Sequence, residues 1–160
     1  MHQRDFDTLD DRTLGWKCIE PAIREIQGKN LTIKSQVYAQ LTAGQKSLLL
    51  FWILYGHTQH GVIQFFNEMD YLLTGRNIWV EFRHRLQLFE MHNLPDLINE
   101  MESIYQVHVK EFSHTLADMN SVAQKAARLD AEISEIMPDV FKKIAEYIRN
   151  NPDDFVHLID

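Results

Sequence analysis

The residues best suited to chemistry are carboxylates and imidazoles at helical spacing. Glu-x-x-His occurs twice, as Glu81…His84 and Glu111…His114. Carboxylate-bridged di-metal bundles use two such pairs, each projecting into the core, and residues three apart share one side of a helix. Orientation argues against that chemistry here. With Phe82 at zero and about 100° per residue, Ile78, Leu86 and Phe89 fall within roughly 40°, whereas Glu81 lies near −100° and His84 near −160°. The same arithmetic about Phe112 turns Glu111 and His114 outward. Register argues the same way: measured from the turn at Leu94, the two pairs miss each other by about 10 Å at the rise of a helix. They are expected as solvated polar residues.

His57 and His60 follow each other at the end of an apolar helix, with Glu68 and Asp70 in the next. Two imidazoles begin a zinc site, but zinc takes a third and usually a fourth ligand. His57, His60 and Glu68 therefore form the metal set of an alternative reading, a metal-binding protein or metal-dependent enzyme. The plainer reading is a helix end where imidazoles suit the terminal carbonyls. Cys18 is the single cysteine, with only Lys17 as a basic neighbour. A nucleophile needs a base and an orienter, and none is nominated, so Cys18 is expected as a small buried side chain. Neither a Gly-rich phosphate loop nor a Gly-x-Ser-x-Gly elbow occurs. No catalytic residue is nominated and no cofactor is expected.

Charge placement is more informative than charge total. The net charge is −7. Residues 1–95 carry 10 acids and 10 bases, and residues 96–160 carry 13 acids and 6 bases, so the whole excess lies in the C-terminal part. This points away from direct nucleic-acid binding and towards a basic partner. Arg83-His84-Arg85 is too short a basic run for a nucleic-acid patch. The longest apolar run, Leu48 to Tyr55, has eight residues, against roughly 20 for a bilayer span, so no membrane partner is expected. A lone cysteine and an N-terminus without a basic head and apolar run fit a reducing, cytoplasmic setting.

The elements that would position these groups are helices. Only six glycines and four prolines interrupt the chain, which suits long helices. A first helix covers part of Leu14 to Gln27, starting or kinking at Pro21. Ile33, Val37 and Leu41 mark a short second one. Thr42-Ala43-Gly44-Gln45 reads as a capping box that opens an apolar central helix from Lys46 to about His57. Gly61 opens the next, with Val62, Phe65, Phe66 and Met69 inward, and Thr74-Gly75 ends it. Asn77 to His92 follows. Pro95 sits in the first turn of a periodic stretch from Leu97 to about Leu129, read as one helix or two. Pro138 is expected to start the last helix, which Asn150-Asn151-Pro152 stops. The tail Phe155–Ile159 is apolar enough to dock. Phe51, Trp52, Tyr55, Phe65, Phe66, Tyr71, Trp79, Phe82 and Phe89 are expected in the core. The fold expected is all-α, a single-domain bundle of about six to eight helices over residues 1–160, with residues 1–13 as a loose arm.

Leu41-Thr42-Ala43-Gly44-Gln45-Lys46, Tyr55 and Gly61-Val62-Ile63-Gln64-Phe65-Phe66-Asn67 together resemble a bacterial all-helical family of unknown function that includes the DNA-mimic proteins. Its members typically show a threonine-capped helix followed by an Asn-Gly-Gly-Phe-x-Gln-Phe-Phe-x-Asn-like segment. Leu129-Asp130, Ala145 to Pro152 and Phe155 resemble its closing helix and aromatic stop, so the likeness covers residues 38–156. This chain departs at His60-Gly61-Val62-Ile63, where the double glycine is lost, and Asn67 sits one place early. The resemblance implies an all-α domain, often dimeric and without known enzymatic activity, some of whose members present carboxylates in place of DNA phosphates.

The function expected is a non-enzymatic interaction protein. Its partner would be a basic protein, a DNA-binding regulator by the resemblance. The contacts expected are Glu100, Glu102, Glu111, Asp118, Asp130, Glu132, Glu135 and Asp139. A structural homodimer that buries Trp79 or the apolar tail is a third reading.

Overall fold

The structure, a computed structural model, describes residues 1–74, 77–91, 93–110 and 116–159, with the backbone alone at 109–110 and 116–118. Eight α-helices are found among these residues and no strand. Helix α4, Ala43–Thr58, occupies the centre. Its start is dictated locally: Thr42 Oγ1 accepts from the Gln45 amide at 3.1 Å while Gln45 Oε1 accepts from the Thr42 amide at 3.1 Å, satisfying two orphan donors. Ten of its residues are buried, more than one face of a helix can hold, so neighbours must surround it. They are α2 (Asp11–Ile26), α5 (Val62–Leu73) and α6 (Ile78–Leu86). The polar residues Ser47 and Thr58 survive burial by donating to carbonyls one turn back, at 3.1 Å to Ala43 and 2.8 Å to Leu54.

Around this centre lie α7 (Leu94–Lys110) and α8 (Leu116–Asn150), which pack on each other, with α7 also against α6 and α8 against α2. The periodic stretch after Pro95 is thus two helices. Helix α8 is about 50 Å long at the ordinary rise. It buries Ala126, Leu129, Ile133, Met137, Val140, Ile144 and Ile148, alternating steps of three and four that keep one stripe inward.

The expectation at Pro138 is corrected, and of the two alternatives at Pro21 the helix start is removed. Pro138 does not start a helix: α8 runs straight through it. Pro21 does not start α2, which begins at Asp11 with Asp10 Oδ1 accepting from the Thr13 amide at 3.0 Å. A proline inside a helix frees the carbonyl four residues back. Here those are Lys17 and Ser134, and both they and the prolines are exposed, so solvent satisfies the freed group.

Helix α3 (Leu31–Gln40) is peripheral and buries only Val37. After α6 a 3₁₀ turn, Gln87–Phe89, ends at a left-handed Glu90. The termini meet: Met1 N donates to His157 O at 2.9 Å, Gln3 N to Ile159 O at 2.9 Å and Ile159 N to Met1 O at 3.0 Å. Residues 1–13 contain α1 (Gln3–Thr8), whose Phe6 is buried. The tail docks through Phe155, 2% exposed. Eight of the nine expected core aromatics are buried, Trp79 among them, so Trp79 is spent inside the chain and is not a free dimer face. Tyr71 is the correction: half exposed on the outer side of α5, it lies under the Lys34 ammonium, 5.8 Å from the ring centroid.

Candidate functional site

The C-terminal carboxylates fall into three groups. The first is neutralised within the chain. Glu100 of α7 takes Arg128 of α8, Glu102 takes Arg83 of α6, and Glu132 receives Arg128 Nε at 3.5 Å. The second is structural. Asp130 Oδ1 accepts from the Val62 amide at 2.8 Å, so its charge sits on the first turn of α5, where the helix dipole favours an anion. Gly61, at φ 94°, brings the chain over that carboxylate. The third is exposed: Glu135 and Asp139 on α8, with no ion pair among the described residues. Glu111 and the side chain of Asp118 lie outside the described residues.

The two exposed carboxylates share a line with Glu132, which is also paired with Arg128. With Glu132 at zero and about 100° per residue, Glu135 lies near −60°, Asp139 near −20° and Glu146 near −40°. Glu146 is exposed and absent from the sequence-derived set; its place seven residues after Asp139 on the same helix was the available signal. Arg128 precedes the line, and Lys142 and Lys143 interrupt it before Glu146. Glu132 to Asp139 spans about 10 Å of axis. B-DNA offers about six phosphates over that length at one charge per 1.7 Å, twice the three carboxylates here. The line can therefore engage a few cationic side chains, at lower charge density than a duplex.

The metal set divides. His57 Nδ1 lies 2.6 Å from Glu68 Oε2, and Gln64 Nε2 donates to Glu68 Oε1 at 2.8 Å. The bond to His57, then the one to Gln64, holds the Glu68 carboxyl below its ordinary range. His60 instead lines a separate polar cleft with Thr58, Gln59, Gly61 and Asp130. Among the described residues no three of His, Cys, Asp and Glu converge as a metal-holding group. Two members of the expected set meet, and His60 shares no hydrogen bond with them among the described residues.

Glu81 also differs from expectation. It is no solvated carboxylate but the hub between α3 and α6, accepting from Tyr38 Oη at 2.7 Å and Arg85 Nε at 2.8 Å. The Arg85 bond is the main cause that holds its carboxyl below the usual range. His84 is exposed as expected, and His114 lies outside the described residues. Cys18 is buried, and burial pushes its thiol up to about 12; at neutral pH it carries its proton and is a poor nucleophile. No described helix is long and apolar enough to cross a membrane.

No curated protein and no solved structure matches the chain. A family profile described as DMP19-like protein matches residues 39–151. That span begins just before the capped start of α4, takes in the Gly61–Asp130 contact and ends at the last turn of α8. The matched region is well over half of the chain, and the chain belongs to the DMP19-like protein family.

Proposed function

We propose that this protein is a non-enzymatic interaction protein that binds a basic protein partner, of the DNA-binding regulator class, through the outer face of α8. The observation that carries the reading is the row Glu132, Glu135 and Asp139, exposed or half-buried on one side of a helix whose opposite side is core. Membership of a family that includes DNA-mimic proteins supplies the partner class. A DNA-binding protein reads backbone charge strongly, so carboxylates on a rigid helix compete for its basic face. Glu100 and Glu102 contribute after exchanging their arginine partners. The exchange is easier for Glu100, whose Arg128 partner is largely exposed, than for Glu102, whose pair with Arg83 is part-buried on both sides.

The test is capture from native extract with the intact chain and with a Glu132→Gln, Glu135→Gln, Asp139→Asn variant. The expected result is one basic DNA-binding protein, released when salt is raised from about 50 to about 200 mM and absent with the variant. A partner retained under both changes, or no partner, would overturn the charge reading. Correct folding of the variant is checked by circular dichroism, since these side chains cover no core.

A further inference from the structure

Helices α2 and α4 border an open cleft of about 590 Å³, lined by Asp10, Arg12, Thr13, Trp16 and Trp52. That volume falls within the roughly 300–1,000 Å³ typical of small-ligand sites. Its wall is aromatic: Trp16 meets Trp52 edge to face, centroids 5.2 Å apart. Behind them Trp52 packs on Tyr55 and Phe141. The two charges at the cleft are of opposite sign. Arg12 has no carboxylate partner among the described residues; its guanidinium is held 5.4 Å from the Tyr55 centroid and 5.9 Å from that of Phe141. The Thr13 side chain first and the Thr13 amide second hold the Asp10 carboxyl below its ordinary range. Trp52 is 9% exposed, and its buried indole nitrogen faces Gly15 on the packed side, so Trp16 offers the larger part of the wall.

Rings on the wall with one cation and one anion at the rim describe a complement. We infer that this cleft is a binding site for a small aromatic zwitterion of the amino-acid type. Its ring lies against Trp16 and Trp52, its carboxylate pairs with Arg12 and its ammonium with Asp10. Stacking against indole supplies orientation. The planar guanidinium, already positioned over two rings, loses little freedom on accepting a carboxylate. The site is on a different face from the carboxylate row and does not depend on the partner-binding reading.

The test is a titration of the intact protein followed by amide and indole NMR signals, with three probes: L-phenylalanine, phenylacetate, which lacks the ammonium, and phenethylamine, which lacks the carboxylate. L-Phenylalanine is expected to saturate with a Kd of about 1 mM or lower, shifting signals of Arg12, Thr13, Trp16 and Trp52. Each single-charge probe is expected to bind about fivefold more weakly, the size of one exposed ion pair. Arg12→Gln should bring L-phenylalanine down to the level of phenethylamine, and Asp10→Asn to that of phenylacetate. Asparagine caps a helix as well as aspartate does, so the second variant keeps α2 intact. If the first variant did not fold, the three probes on the unchanged protein would still decide. No saturation, equal affinity for the three probes, or shifts centred on another surface overturns the inference.

Discussion

Helices α4 and α5 both begin in the middle of the bundle, and both receive a carboxylate from the C-terminal part of the chain, yet they are specified differently. The start of α4 is written locally. Thr42 and Gln45 cap each other, and only afterwards does Asp154 arrive, its Oδ2 accepting from the Gly44 amide at 2.8 Å. The start of α5 has no local cap at all. It depends on Gly61 at φ 94° and on Asp130, 68 residues away. One helix start would form before the fold and is then locked by it; the other exists because of the fold. Carboxylates of the acidic C-terminal part thus serve as ties between elements as well as surface charge.

The largest effect expected from breaking this comparison is at Gly44. A Cβ there would stand 2.6 Å from Phe155 Cζ and 2.9 Å from Cε1, besides meeting the Asp154 carboxylate. Phe155 is buried and has nowhere to go. Gly44→Ala should cost about 3 kcal/mol, as overpacking of a filled core does. For a chain of this size that is a fall of about 6–12 °C in Tm. Thermal unfolding checks it, and an unchanged Tm would show that the tail does not lock α4.

Removing the caps themselves comes next. Asp130→Ala takes away the one side-chain partner of the α5 start among the described residues, a half-buried hydrogen bond to a carboxylate. It should cost about 2 kcal/mol. Thr42→Ala removes the cap and the hydroxyl's bond to the Asp154 carbonyl but keeps the Gly44–Asp154 carboxylate bond and Gln45, and should cost about 1 kcal/mol. Amide exchange separates the two. Asp130→Ala is expected to speed exchange at Val62 with little change in α4, and Thr42→Ala the reverse at Gln45. If Thr42→Ala proved the more damaging, the distinction between a locally and a distantly specified start would collapse.

The same contrast explains what could be read from residues alone. The capping box of α4, the apolar run it opens and the family likeness all rest on neighbours or on short motifs, and each was legible. Pro138 misled because a proline's effect depends on whether the carbonyl four residues back faces solvent, which is a tertiary fact. Asp130 looked like one more surface acid, since nothing near it in sequence says that Val62 needs an acceptor. Glu100, Glu102 and Glu132 were indistinguishable from Glu135 and Asp139 until the helices were placed and arginines from α6 and α8 came within reach. His60 looked like a partner of His57, but the fold pairs His57 with Glu68 and sets His60 in a separate cleft. Residue types named the carboxylates; which of them are left to meet a partner is decided by packing.

The smallest effect sharpens the comparison by reversing its sign. Gly15 lies inside α2 with an ordinary helical backbone, and a Cβ there would meet Trp52 Nε1 at 3.7 Å, Ile144 Cγ2 at 3.8 Å and Leu48 Cδ1 at 3.9 Å. These are normal contact distances, so alanine fits. Glycine in a helix interior is about 0.5–1 kcal/mol worse than alanine, partly through the freedom it gives the unfolded chain. Gly15→Ala is therefore expected to raise Tm by about 1–4 °C, whereas the same change at Gly44 lowers it. The two substitutions add the same methyl group to helices of the same bundle. If both destabilised alike, the loss would have to be assigned to helix packing in general, and the close approach of Phe155 would no longer account for Gly44.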